Sequence, residues 1–420
     1  MKELKDSGFL ALLVGGCIRD LLLKRPIKDW DIVTDAKPQQ IKMIFNKFKT
    51  IMIGKSFQTV TIVLNYQIYQ ISTLRKNKNK KFTNYYSSLL QLLNEDLLRR
   101  DFTINSMAWD QDKGLLDPTN GYSDLNNKVL QSVKPDIRMK EDPLRTLRAI
   151  RFTCELNFIL SPEVKSSLCR NAYLIRDVSS ERIRDEICLI LNSPDPKRGI
   201  LLLKKFNLEH YIFSLDRIKK MQSSKKKTKK IALSGLNELQ QDLAAQLALW
   251  GRMSFDSCQA ARMLYFPVIK YLRFKKKTNE RVKIFLSTEW QDIDFSSGKK
   301  IRFLIARFGK ENTKILIRLK RILLCTGNAL QKNQLKIEEK VYEEELAKNN
   351  VTKLSELAIN GQDLKEIGYQ EGKEIGRILN YILTKVLVQP ELNDREKLLD
   401  LAKSIDMHIN HKKNFFEMNK

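Results

Sequence analysis

A glycine pair followed by two alternating carboxylates, all within residues 15–31, constrains this chain more than any other feature. Gly15 and Gly16 carry no Cβ, so the backbone N–H groups there can approach a phosphate closely. Asp29 and Asp31 precede a β-branched pair at 32–33, which favours a strand, and residues i and i+2 of a strand share one face. Two carboxylates on one face can share divalent cations. The order therefore indicates a site where a nucleoside triphosphate meets a nucleophile.

The charge of the chain predicts a polyanionic partner. Its 420 residues carry 76 Lys and Arg against 49 Asp and Glu, a formal net charge of +27. Such an excess favours salt-dependent binding through phosphate contacts. The sequence contains no apolar run long enough to span a bilayer, so we expect no membrane insertion. Six scattered cysteines without a Cys-x-x-Cys motif predict reduced thiols in a cytoplasmic protein.

Secondary-structure signals change along the chain. Thr59–Leu64 and Gln67–Thr73 are β-rich and predict a hairpin, whereas 37–48 predicts an amphipathic helix. Beyond residue 136 the strand signals almost vanish, and apolar residues recur at helical spacing, as in the helix predicted over 141–156. The pattern predicts an α/β head with a mixed β-sheet, followed by an all-α remainder.

A second cluster, Arg99-Arg100-Asp101-Phe102-Thr103-Ile104-Asn105, combines guanidinium groups with an amide. Arg100 can bind phosphate in a bidentate manner, and Asn105 can hydrogen-bond a sugar hydroxyl. The alternative is a capped helix start with a surface ion pair. In isolation the residues favour neither interpretation.

The segment from Asp142 to Arg151 can read a base edge. Cytosine and adenine present an amino donor beside a ring-nitrogen acceptor, whereas uracil and guanine present the reverse polarity. Asp142 and Arg145, three residues apart on a helix, could accept from the amino group and donate to the ring nitrogen, with Arg148 and Arg151 on the flank. The alternative is an ordinary helix start with an intrahelical ion pair.

In this order, the motifs resemble those of a known family. Gly-Gly, Arg-Asp and Asp-x-Asp come first, followed by Arg-Arg-Asp-Phe-Thr-Ile-Asn, Glu-Asp-x-x-Arg and finally Ser-Glu-Arg-Ile at 180–183. Together they resemble the class II tRNA nucleotidyltransferases, the bacterial CCA-adding enzymes, which form a superfamily with bacterial poly(A) polymerases. The glycine-punctuated stretch 357–399 is also similar to the C-terminal helical region of these enzymes.

The resemblance implies a role for each matched residue. Asp29 and Asp31 would bind two Mg²⁺ ions and carry the catalysis. The remaining residues would bind the nucleotide, ATP or CTP: Gly15, Gly16 and Arg19 at the triphosphate, Arg100 and Asn105 beside the sugar and phosphates, and Asp142, Arg145, Arg148 and Arg151 at the base.

The resemblance also implies a domain order and a partner. A nucleotidyltransferase head over 1–135 would be followed by a helical neck over 136–215, which recognises the base. A helical body over 216–340 and a helical tail over 341–420 would hold the acceptor arm and 3′ end of tRNA. The protein would act as a monomer or a homodimer.

The expected activity is template-independent addition of C, C and A to tRNA with release of pyrophosphate. The sequence leaves open an enzyme adding only A or only CC, a poly(A) polymerase, and an RNA-binding pseudoenzyme. Two departures from the family pattern bear on this choice. Gln70 stands where the family usually carries a glutamate, and the basic loop 76–86 lacks the usual acidic character.

Overall fold

The computed structural model describes residues 1–53, 59–64, 66–74, 85–213, 233, 235–255, 258–324 and 329–404. These residues fall into two compact units that divide near residue 224, with Tyr271–Arg273 counted in the first. Nearly all of the loop predicted over 76–86 lies outside the described residues. Within the described ranges, no helix is both long enough and apolar enough to cross a membrane.

The first unit is built on a seven-stranded mixed sheet. The strands are β1 Leu12–Val14, β2 Asp29–Thr34, β3 Thr50–Ile53, β4 Thr59–Leu64, β5 Gln67–Thr73, β6 Ala108–Asp110 and β7 Gly114–Leu116. Their order is β3-β4-β5-β2-β1-β6-β7. Within the described strands of this sheet, β2 and β5 pair in parallel and the other neighbours are antiparallel. The hairpin β4–β5 occupies the predicted residues.

Helices cover both faces of this sheet. The helices are α1 Lys2–Asp6, α2 Gly16–Leu22, α3 Pro38–Ile44, α4 Tyr85–Leu98 and α5 Gly121–Asn126. Ile32 of β2 packs with Ile41 of α3 on one face, while Val33 packs with Leu93 of α4 on the other. This alternation follows from the two-residue period of a strand. The helix predicted over 37–48 is shorter, because residues 45–48 form a turn and a bend that lead to β3.

The rest of the first unit is mainly helical. It contains β8 Val129–Leu130, α6 Pro135–Glu141, α7 Arg145–Glu155, β9 Ile159–Leu160, α8 Pro162–Asn171, α9 Ser180–Leu191, α10 Pro196–Lys205 and α11 Leu208–Phe213, with 3₁₀ turns at Thr103–Asn105 and Ala172–Asp177. The continuous helix predicted over 141–156 was wrong. Asp142 is extended, with φ −144° and ψ 98°, because the following Pro143 disfavours helical geometry at the residue before it.

The second unit is all-helical within its described residues. Its α-helices are Gly235–Glu238, Leu243–Ser254, Cys258–Ala260, Phe266–Tyr271, Lys276–Leu286, Gly298–Phe308, Lys310–Leu324, Ala329–Ala347, Gly361–Glu366, Lys373–Val388 and residues 395–404, with a π-helical turn at Ala261–Tyr265 and 3₁₀ turns at Trp290–Asp292, Leu354–Glu356 and Pro390–Leu392. Trp250 and Trp290 are fully buried in it. The predicted fold class, an α/β head followed by helices, is confirmed.

Candidate active site

The two carboxylates lie on β2 near the centre of the sheet. Asp29 is exposed and Asp31 is half-buried, and both side chains share the face that Val33 presents to α4. Burial raises the pKa of Asp31 to about 6, and the neighbouring charge of Asp29 adds to the rise, whereas Arg100 opposes it. The raised pKa of Asp31 reflects a local negative potential that a bound cation would relieve.

Gly15 lies beside Asp31, at the end of the neighbouring strand β1. It follows β1 with φ 81°, and its N–H donates to the Met107 carbonyl at 3.0 Å. A Cβ at this position would lie 2.3 Å from Nη1 of Arg100 and 3.6 Å from Oδ2 of Asp31. The backbone conformation therefore requires glycine, and the close approach shows that Gly15, Arg100 and Asp31 form one cluster. Gly16 begins α2 directly beside it.

Arg19 and Asn105 are joined to each other beneath this cluster. Arg19 is 7% exposed, donates to both carboxylate oxygens of Asp20 at 2.8–2.9 Å and donates to Oδ1 of Asn105 at 2.6 Å. The Asn105 amide donates in turn to Asp101 at 3.0 Å. Both predicted nucleotide-binding side chains thus have buried protein partners, which hold the backbone of the Arg100 segment in place.

Asp142 and Arg145 lie at the junction between α6 and α7, and their side chains bond to other groups and not to each other. Oδ2 of Asp142 pairs with Arg182 of α9 at 2.8 Å, and Oδ1 accepts from the Leu144 N–H at 3.3 Å. Arg145 donates to the carbonyls of Arg138 and Arg99, at 2.9 and 3.2 Å. The ion pair between Asp142 and Arg145 considered from the sequence does not form: Asp142 pairs with Arg182 of α9, and Arg145 pairs with Glu141 at 3.3 Å.

Arg148 and Arg151 enter an ion-pair network along α7. Arg148 pairs with Asp101 at 2.6 Å, and Arg151 pairs with Glu186 of α9 at 2.8 Å. Burial alone would raise the pKa of Asp101, but Arg148 and Asn105 outweigh burial and lower it. The Asp101 carboxylate is consequently charged and links α7 to the segment that carries Arg100.

The sequence analysis assigned no role to three residues of this network: Asp101, Arg182 and Glu186. Arg182 and Glu186 are four apart on α9, so they face α7 together. Arg182 is the arginine of the Ser-Glu-Arg-Ile motif and Glu186 follows it by four residues, which was a usable signal. For Asp101 the sequence contains no such signal beyond the position of the residue in the arginine cluster.

The donor set at Asp29 and Asp31 fits Mg²⁺. Carboxylate oxygens are the ligands this hard cation prefers, and one or two carboxylates completed by substrate phosphates are sufficient. Gln70 adds an amide on the same face and donates from Nε2 to Oδ2 of Asp29 at 3.2 Å. Among the described residues, no group of three or more His, Cys, Asp or Glu side chains could hold a metal.

Three family models match the chain. They are the "Poly A polymerase head domain" over 11–131, the "Probable RNA and SrmB- binding site of polymerase A" over 157–215, and domain 2 of tRNA nucleotidyltransferases over 273–402. The chain belongs to the class II tRNA nucleotidyltransferases, the family of bacterial CCA-adding enzymes and poly(A) polymerases.

Individual relatives extend this similarity over the full length. A CCA-adding enzyme of Ligilactobacillus salivarius is 28% identical over 418 residues, covering 96% of this chain and 95% of the relative. A CC-adding tRNA nucleotidyltransferase of Halalkalibacterium halodurans is 36% identical over 212 residues, about half of each chain (50% and 52%). The crystal structure of the Bacillus stearothermophilus CCA-adding enzyme in complex with CTP is 26% identical and superposes with a TM-score of 0.74, covering 98% of this chain and 97% of that one.

Proposed function

We propose that this chain adds C, C and A to the 3′ end of tRNA from CTP and ATP, without a nucleic-acid template, and releases pyrophosphate. The observation that carries the proposal is the full-length similarity to CCA-adding enzymes in a chain that retains the Asp29–Asp31 pair beside Gly15 and Arg100. The net charge of +27 supports an RNA substrate.

Asp29 and Asp31 would hold two Mg²⁺ ions in the proposed reaction. When bound, the ions would supply activation of the 3′-hydroxyl and stabilisation of charge at the α-phosphate. Arg100 lies next to Asp31 and the Gly15 backbone, so its guanidinium is available to the triphosphate at the same place. Positioning and fixed positive charge are what these side chains contribute to phosphoryl transfer.

Base selection is proposed for Asp142 and Arg145. The Arg182 guanidinium compensates the Asp142 charge and orients the carboxylate, while one lone pair on each carboxylate oxygen stays available to accept from an amino group. Arg145, held by two backbone carbonyls, retains N–H donors for a ring nitrogen. Uracil or guanine would leave these groups unpaired, which is costly in a desolvated site.

We also propose the domain roles expected from the sequence: catalysis by the head over 1–135, base recognition by the neck over 136–215, and binding of the tRNA acceptor arm by the helical residues of 216–420. The proposed reaction takes place in the cytoplasm.

The test uses tRNA transcripts that end before CCA, after the first C and after CC, with an unrelated RNA as control. Each is incubated with Mg²⁺ and labelled CTP, ATP or both, and the products are resolved at single-nucleotide length. We expect addition of C, C and A followed by arrest, on tRNA only. Arrest after CC with both nucleotides present would indicate an enzyme that adds only CC. Extension of the CC-ended transcript alone would indicate an enzyme that adds only A. Long adenylate tails on any RNA would indicate a poly(A) polymerase.

An inactive variant completes the design. Asp31→Asn preserves the shape of the side chain and removes its charge, so incorporation of both nucleotides should fall at least a thousandfold while tRNA binding persists. If the wild-type chain binds tRNA but extends none of the transcripts, the RNA-binding pseudoenzyme is the correct interpretation.

A further inference from the structure

The sheet face that bears the two carboxylates continues onto three strands on one side. Asp29 pairs in register with Ile68 of β5, and Ile68 pairs with Val63 of β4. The hydrogen bond from Gln70 to Asp29 and the contact of Thr59 with Ser72 place these alternating residues on the same face. Directly paired side chains lie about 5 Å apart, so Ile68 adjoins Asp29.

On β3, β4 and β5 the most exposed described side chains of this face are aliphatic, and its polar side chains are neutral. Ile68 is 42% exposed, Val63 is 40% exposed, and Ile51, diagonal to Val63 on β3, is 45% exposed. Within the described part of β3, β4 and β5, the residues on this face are all neutral: Ile51, Thr59, Thr61, Val63, Ile68, Gln70 and Ser72. The exposed Lys49 lies at the outer margin of this face, where its carbonyl accepts a hydrogen bond from the Val63 N–H at 3.5 Å.

The strand order separates two sides of the catalytic pair. Gly15 and Arg100 adjoin Asp31 from the β1 side, whereas Ile68 and Val63 extend from the β5 side. In phosphoryl transfer the attacking and leaving oxygens lie roughly in line through phosphorus. If the triphosphate lies at the cationic β1 side, its pyrophosphate leaves there and the attacking hydroxyl must arrive from the opposite, β5 side.

We propose that the face formed by Ile51, Val63 and Ile68 seats the 3′-terminal nucleoside of the RNA primer. An apolar, neutral surface suits the flat side of a base and a ribose rather than a phosphate, and Lys49 at its margin suits the phosphate that precedes that nucleoside. This assignment rests on the proposed function and adds to it where the acceptor end lies. Contact with Ile68 would put the terminal hydroxyl beside Asp29.

The experiment compares Val63→Ser and Ile68→Ser, singly and together, with the wild-type chain. The matched control is Ile159→Ser, which removes a more exposed isoleucine (58%) from β9. Steady-state kinetics with a CC-ended tRNA are measured against primer and against ATP, and thermal unfolding verifies that each variant is folded. We expect the double variant to raise the KM for primer about tenfold while the KM for ATP changes less than twofold. The increase should persist between 50 and 200 mM salt, because an apolar contact releases no counterions.

Two results would overturn the assignment. One is an unchanged primer KM in a folded double variant, and the other is an increase in the KM for ATP without one for primer, which would place the incoming nucleotide on this face. A wild-type chain that fails to extend any transcript would instead refute the proposed function, so the two failures are distinguishable.

Discussion

Gln70 donates a hydrogen bond from its amide nitrogen to Oδ2 of Asp29, 3.2 Å across the parallel pair β2–β5. Its backbone is in register with Asp31, so the amide lies beside both carboxylates proposed to be catalytic. A neutral donor at this position compensates the negative charge of Asp29 without adding a third carboxylate. The proposed catalytic site therefore has two acidic side chains and one amide on the same face.

Gln70→Glu should increase the affinity of the site for Mg²⁺. A third carboxylate adds an oxygen ligand and negative potential, so we expect the Mg²⁺ concentration for half-maximal incorporation to fall about three- to tenfold. The measurement is a Mg²⁺ titration of nucleotide incorporation at pH 7.5.

The matched control for this change is Gln67→Glu, on the opposite face of the same strand, where Gln67 accepts from Trp30. That variant adds the same charge away from the site and should leave the Mg²⁺ dependence unchanged. Equal behaviour of the two variants would mean that the residue at position 70 does not contribute to the metal site.

Mg²⁺ binding should weaken in acid. The pKa of Asp31, raised to about 6 by burial and by Asp29, makes this carboxyl neutral below that pH in the metal-free protein. A proton then competes with the cation, and the apparent dissociation constant should be about tenfold weaker at pH 5 than at pH 7. Calorimetric titration with Mg²⁺ between pH 5 and 7.5 measures this, and a constant affinity over that interval would contradict it.

Asp142→Ala and Arg182→Ala should differ in their effects on nucleotide choice. Removing the carboxylate removes the acceptor for the amino group, so discrimination against UTP and GTP should fall about a hundredfold, while tRNA affinity changes less than threefold. Removing Arg182 leaves that acceptor in place but frees its orientation, so discrimination should fall tenfold at most.

Single-nucleotide competition assays measure both variants. Arg170→Ala is the control, because it removes an exposed arginine that pairs with Asp136 on α6, away from Asp142. Selectivity that survives Asp142→Ala intact would refute the base-reading role.

Asp101→Asn should destabilise the first unit by about 2 kcal/mol. The substitution leaves Arg148, whose side chain is 32% exposed, without its partner at 2.6 Å, and partial exposure keeps the cost below that of a fully buried pair. Urea unfolding at pH 7 measures the loss. The exposed Asp112→Asn is the control and should cost less than about 0.5 kcal/mol.

The same comparison has a defined pH dependence. Because the pKa of Asp101 is lower in the folded state than in the unfolded state, its stabilising effect is complete above about pH 4 and declines as the pH falls further. The free-energy difference between wild type and Asp101→Asn should therefore shrink below pH 4, and a difference that grows in acid would contradict the ion pair.

The sequence by itself determined the elements that depend on local patterns. The alternation around Asp29 and Asp31 predicted β2, the apolar runs predicted the β4–β5 hairpin, and the absence of strand signals predicted the helical second unit. These features follow from the two- and 3.6-residue periods of the backbone, which each segment carries on its own.

Only the tertiary structure decided which side chains meet. Arg19 and Asn105, each expected at the nucleotide, are 86 residues apart and form a hydrogen bond to each other. Asp142 pairs with Arg182 and not with Arg145, three residues further along the chain. Spacing along a chain restricts only residues a few positions apart. Partners from distant segments are chosen by the packing of α7, α9 and the sheet, which brings charged groups together wherever burial requires them to be neutralised.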